Sequence, residues 1–133
     1  MSFLAKMIEI LVMVLTFTAM VSSVPNTKVT RVLCNSGTYT KGDPFATSLA
    51  YVLAELETAT PLQKSREYYN ISPYPNAFAY GHAACNTNLS SADCQTCLAA
   101  AKQTIFSSCP SRIGARSVLY DCTTRYEQYP FND

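Results

Sequence analysis

Apolar positions along the chain switch between two periods, and the switches mark out the elements. Val29 to Cys34 alternates, with β-branched residues at Val29, Thr30 and Val32, and reads as a strand. Asp43-Pro44 then supplies an N-cap followed by proline at the first helical position. Phe45, Leu49, Val52, Leu53 and Leu56 fall on one helical stripe until Pro61 stops the run. Residues 61 to 75 are polar and interrupted by prolines, with a short strand expected over Glu67 to Ile71. Phe78 to Ala84 returns to strand character. Ser90 or Ser91 caps a second helix, Asp93 suits its first turn, and Cys94, Cys97, Leu98, Ala101 and Ile105 recur on one face. This helix runs to about Phe106 and is closed by Cys109-Pro110. From Arg116 to Tyr129 the chain is rich in β-branched and aromatic residues, long enough for two strands or one bent strand. Two helices and about five strands, clustered rather than alternating, predict an α+β domain with both helices on one face of a roughly five-stranded antiparallel sheet.

The first 23 residues do not fit that domain. Residues 10 to 16, Ile-Leu-Val-Met-Val-Leu-Thr, extend an apolar run that follows Lys6 and ends at Val21-Ser22-Ser23, the pattern of a secretory signal peptide cleaved after Ser23. Glu9 and two threonines interrupt the run, which falls short of the roughly 20 apolar residues of a membrane span. The expected organisation is a signal peptide over residues 1–23 and a single secreted domain over residues 24–133, with no membrane span in the mature chain. Ten Lys or Arg against nine Asp or Glu leave a formal net charge of +1. No clustered basic face of the kind nucleic acid requires is visible, so no nucleic-acid partner is expected.

Secretion places the six cysteines in an oxidising compartment, where an even number in so short a chain reads as three disulfides. Zinc is the competing reading of Cys94-x-x-Cys97. His82 is the single histidine and no second Cys-x-x-Cys exists to complete four ligands, so no metal is expected. Sequence alone does not select a pairing. Cys94 and Cys97 share one helical face, one turn apart, which is poor disulfide geometry. Cys85, on the incoming turn, can reach Cys94, which leaves Cys97 for a distant partner.

Catalytic signals are absent. There is no G-x-S-x-G, no H-E-x-x-H and no phosphate-cradling glycine loop, and His82 beside Gly81 reads as an ordinary strand histidine. Asp121 and Glu127 are the carboxylates close together in the C-terminal strands, and nothing marks them as a glycosidase pair. The expectation is a non-enzymatic protein without a cofactor.

Several motifs together carry a family resemblance. These are the C-x8-C-x2-C spacing of Cys85, Cys94 and Cys97, the Asp43-Pro44-Phe45 helix start, and Ala79-Tyr80-Gly81 before Cys85. Ile113-Gly114-Ala115-Arg116 and, after Cys122, Tyr126-Glu127-Gln128 complete the set. The combination resembles the ginkbilobin-type, or stress-antifungal, domain, a secreted plant module, over Cys34 to Phe131. The chain is similar to its single-domain form. The resemblance implies bridges Cys34 to Cys109, Cys85 to Cys94 and Cys97 to Cys122.

The resemblance also implies mannose binding by an asparagine, an arginine and a glutamate, with Asn35, Arg116 and Glu127 at the matching positions. The chemistry suits sugar hydroxyls: an ionised carboxylate only accepts, a guanidinium only donates, and an amide does both. Taken singly, Asn35 also fits a turn near Gly37, and Arg116 with Glu127 a solvent-exposed cross-strand ion pair of little worth. Arg116 and Glu127 are an odd number of positions apart, so a turn or bulge near Cys122 to Thr124 is needed to bring them to one face. Tyr126, Tyr129 and Phe131 offer an apolar platform for a sugar ring, but strand aromatics more often pack and none is assigned.

The implied function is a secreted, apoplastic antifungal lectin, expected as a monomer, for mannose or mannan-type glycans of the fungal cell wall. The alternative is an apoplastic protein-interaction module, a receptor ligand or protease inhibitor, without sugar dependence. Cys97 to Cys122, anchored between Arg116 and Glu127, is expected to support the sugar site, and Cys85 to Cys94 mainly to close a surface loop. Asn70-Ile71-Ser72 and Asn88-Leu89-Ser90 are glycosylation sequons, with Pro73 counting against the first.

Overall fold

A computed structural model describes residues 2–10 and 24–133. The expected cleavage after Ser23, and most of the apolar run before it, lie outside the described residues. The elements in order are a helix over residues 2–10 (α1), β1 (Val29–Cys34), α2 (Pro44–Ala59), β2 (Glu67–Ile71), β3 (Tyr80–Cys85), α3 (Ser91–Ser108), β4 (Ala115–Leu119) and β5 (Cys122–Glu127). The expected helix count of two is therefore corrected to three among the described residues. The addition, α1, is a run of good helix formers such as Leu4, Ala5, Lys6 and Met7 within the proposed leader.

Local chemistry accounts for the two long helices. Asp43 Oδ1 accepts from the Phe45 N–H at 2.9 Å, and Pro44 follows the cap where its missing N–H costs nothing. Pro61 does not end the chain's curvature outright: Thr60–Leu62 tightens into a 3-10 turn, which a proline at its start tolerates. On α3 the cap is Ser90, whose Oγ accepts from the Asp93 N–H at 3.1 Å. Each helix buries the stripe read from sequence: Phe45, Leu49, Val52, Leu53 and Leu56 on α2, and Cys94, Cys97, Leu98, Ala101 and Ile105 on α3.

The five strands form one antiparallel sheet in the order β1-β4-β5-β3-β2. Helix α2 packs on β2 and β3, α3 packs on β4 and β5, and the two helices touch each other. Ala115, Ser117, Leu119, Cys122, Thr124 and Tyr126 are buried. The alternating Arg116, Val118, Thr123 and Arg125 are half-buried on the outer face. That outer face carries the site described below.

All six cysteines are paired: Cys34 with Cys109, Cys85 with Cys94, and Cys97 with Cys122. Cys85 and Cys122 lie opposite each other on β3 and β5, and Cys94 and Cys97 one turn apart on α3. Two bridges therefore run side by side from the start of α3 to the sheet. The third ties the end of β1 to the end of α3.

Candidate functional site

Strands β4 and β5 form a hairpin whose turn is Tyr120–Asp121. The turn expected near Cys122 to Thr124 thus comes earlier, because those residues already pair with Cys85, Ala84 and Ala83 of β3. The hairpin sets Arg116 directly opposite Arg125, and Glu127 follows Arg125 by two positions, so all three fall on the outer face. Asn35 follows the last residue of β1, whose Cys34 pairs with Ala115. Leu33, Cys34, Asn35, Ala115, Arg116, Arg125 and Glu127 line one open cleft of about 360 Å³. All three residues expected to hold a sugar line this cleft.

Asn35 is fixed from several sides. Its N–H donates to the Gly114 carbonyl at 2.9 Å, its Oδ1 accepts from the Gly37 N–H at 2.9 Å, and its carbonyl accepts from Arg112 Nη1 at 2.8 Å. The turn role read for Asn35 is therefore real and coexists with its place in the cleft. On the inner face Tyr126 donates its hydroxyl to the Arg112 carbonyl at 2.7 Å, so the core holds the loop that holds Asn35. Tyr126 is buried against Phe45 and offers no platform to a sugar. Phe131 lies over the Arg125 guanidinium, 4.0 Å from its ring centroid.

Glu127 is 9% exposed although it lies on the outer face. Its Oε1 accepts from Arg125 Nε at 3.2 Å, and its Oε2 is buried without a hydrogen-bond partner among the described residues. Burial pushes its carboxyl pKa up, outweighing the Arg125 hydrogen bond and the positive charges of Arg125 and Arg116. Gly114 makes that burial possible, since a Cβ there would collide with the Glu127 carboxylate. The Ile-Gly-Ala-Arg motif thus combines a glycine that admits Glu127 with an arginine that lines the same cleft.

A second carboxylate joins the cluster. Asp133 Oδ1 accepts from Arg125 Nη1 at 2.7 Å and from Arg116 Nη2, and its Oδ2 lies 2.9 Å from His82 Nδ1. Burial raises the Asp133 carboxyl pKa, but hydrogen bonds from Arg125 and His82 and the charge of Arg116 outweigh it, so the group sits below its usual range. His82 is 4% exposed and places Nε2 2.8 Å from Glu67 Oε1.

The family described as salt stress response/antifungal matches residues 33–129. The chain belongs to this family. It is 35% identical over 115 residues to the antifungal protein ginkbilobin-like protein 1 of Picea glauca, covering 83% of this chain and 79% of that one. To the antifungal protein ginkbilobin-2 of Ginkgo biloba it is 36% identical over 111 residues, 80% of each chain. Among solved structures it is similar to the tandem DUF26 ectodomain of the Arabidopsis thaliana cysteine-rich receptor-like protein PDLP5, with a TM-score of 0.71 at 19% identity over 78% of this chain. The corresponding ectodomain of PDLP8 gives 0.64 at 27% over 77%. The chain spans about half of each tandem ectodomain, 51% and 46%.

In this ginkbilobin-type domain, sequence reasoning missed Arg125, Asp133 and His82. Arg125 was legible: it lies two positions before Glu127 in a strand, so the two share a face. His82 and Asp133 carried no such signal. The Asp121–Glu127 pair weighed for glycoside hydrolysis is split between the hairpin turn and the far end of β5, roughly 20 Å at strand rise, beyond the span of a carboxylate pair.

Proposed function

We propose that the chain is a secreted mannose-binding lectin of antifungal defence. The observation that carries this reading is the shared cleft of Asn35, Arg116 and Glu127, which combines an amide, a guanidinium and a half-satisfied carboxylate. Such a set matches adjacent sugar hydroxyls, which donate to the carboxylate and accept from the guanidinium. Relatives named as antifungal proteins support the defence role, and the leader-like residues 1–23 support secretion. A small open cleft holding one sugar binds weakly, near millimolar or about −4 kcal/mol, and repeated mannose units on a cell wall supply avidity.

Binding to mannan-coated beads, competed with free mannose or glucose, tests the reading. Retention lost to mannose and spared by glucose supports it, with Arg116→Ala weakening binding at least tenfold. Equal retention of wild type and Arg116→Ala overturns it. The similarity to receptor-like ectodomains supports a second reading, a protein-interaction module. A protein partner captured from plant extracellular fluid that survives excess mannose and Glu127→Ala favours that reading instead.

A further inference from the structure

We propose that Arg116, Arg125 and His82 form a carboxylate-binding subsite beside the sugar pocket, so that the preferred glycan carries a uronic acid. The inference deepens the lectin reading and rests on it for the location of the sugar ring. Arg116 and Arg125 stand directly opposite each other on β4 and β5, where like charges repel unless an anion lies between them. The structure holds such an anion, the Asp133 carboxylate, with Arg125 Nη1 at 2.7 Å, His82 Nδ1 at 2.9 Å and Arg116 Nη2 on the same oxygen as Arg125. The His82 ring faces a carboxylate at each nitrogen, Asp133 on one side and Glu67 on the other. Carboxylates only accept, so each contact is a hydrogen bond donated by a protonated ring nitrogen.

The occupant lies outside the sheet and the helices. Asp133 belongs to a segment after β5 that forms neither helix nor strand, with Pro130 and Asn132 exposed. Besides the carboxylate contacts, Tyr69 anchors Asp133, its hydroxyl accepting from the Asp133 N–H at 2.9 Å and donating to the Asp133 carbonyl at 3.2 Å. Phe131 rests on Arg125. A ligand carboxylate can replace that of Asp133 without leaving the arginines unpaired. The same two arginines line the cleft with Asn35 and Glu127, so one sugar ring can present hydroxyls to Asn35, Glu127 and the remaining donors of Arg116, and a carboxylate to Arg116 and Arg125 together. Glu127 is the opposing charge, and its hydrogen bond to Arg125 Nε weakens the repulsion.

The test compares D-mannose with D-mannuronate, which differs only in carrying a carboxylate at C6, by titration into the full chain and into Asp133→Ala and Asp133→Asn. Thermal melting checks that each variant is folded. The expected result is tighter binding of mannuronate than of mannose by wild type, and a mannuronate-to-mannose affinity ratio that rises about tenfold when Asp133 no longer competes. Arg125→Gln should remove the preference. Mannuronate binding no tighter than mannose in both Asp133 variants overturns the subsite, as does a preference that survives Arg125→Gln. Mannose binding without uronate preference rejects this inference alone, and uronate binding without mannose binding rejects the mannose reading while leaving the subsite in place.

Discussion

Glu127 concentrates the chemistry of the site in one side chain, because its two oxygens are treated differently. One accepts from Arg125 and the other is buried beside Gly114 without a partner among the described residues. A methyl group at Gly114 has only the flexible end of Glu127 to displace, so Gly114→Ala should cost little stability, about 1 kcal/mol or less, while weakening mannose binding severalfold. Thermal melting and sugar titration of the same variant separate the two effects. The pH dependence follows from the raised Glu127 pKa. The ionised carboxylate is the better acceptor for a sugar hydroxyl, so binding should weaken on acidification, beginning at a higher pH than an ordinary glutamate would give. Sugar titrations across a falling pH series should show that loss in wild type and a flat profile in Glu127→Gln. Stability has two opposed contributions. A raised folded pKa means that ionised Glu127 costs stability, which returns as pH falls through that pKa. The lowered pKa of Asp133 means the reverse: its stabilisation is present above the unfolded pKa and is lost as pH falls through the folded one.

At the scale of elements, the bridges change rank once the strands are placed. Cys97 to Cys122 was expected to support the sugar site, yet Cys122 opens β5 while Glu127 closes it. Cys34 to Cys109 is the nearer bridge, since Cys34 itself lines the cleft and Asn35 follows it. Its 75-residue separation gives on the order of 4 kcal/mol in the chain-entropy model, against about 3 kcal/mol for the 9-residue separation of Cys85 and Cys94. Replacing Cys34 and Cys109 by alanine should therefore lower melting temperature and mannose affinity together. The double alanine variant of Cys97 and Cys122 should lose stability with a smaller change in affinity where both remain folded. Helices α2 and α3 were legible in the sequence because caps and stripes are local: Asp43-Pro44 and Ser90 announce starts, and the apolar spacing names the buried faces. The hairpin turn was placed a few residues late because Tyr120-Asp121 lacks the glycine or asparagine that usually marks one. The segment carrying Asp133 was illegible for a different reason. It has no periodicity, and its role depends on Arg116, Arg125 and His82, which only the assembled sheet brings together.

Across the whole molecule the sheet divides its labour by face and by end. The inner face carries the core under α2 and α3, and the outer face carries the cleft at the end where β1 and β5 finish. The opposite end holds the Tyr120–Asp121 turn, where Asn86 N–H donates to the Asp121 carbonyl at 2.8 Å. Asn88 is exposed in the loop beside it. Asn70 is instead part of β2 and donates its amide to the Val52 carbonyl at 3.3 Å, and Ser72 of the same sequon is buried with its Oγ accepting from the Ala79 N–H. In secreted protein, peptide mapping should therefore find a glycan on Asn88 and none on Asn70, and enzymatic deglycosylation should leave mannose affinity unchanged. The most direct measurement of the central claim is a mannose titration followed by the backbone amide resonances of the isotope-labelled protein. Saturable shifts should centre on Asn35, Gly114, Arg116 and Glu127, with glucose producing weaker changes and Arg116→Ala abolishing them. Shifts centred elsewhere, or an undiminished response in folded Arg116→Ala, would contradict the account.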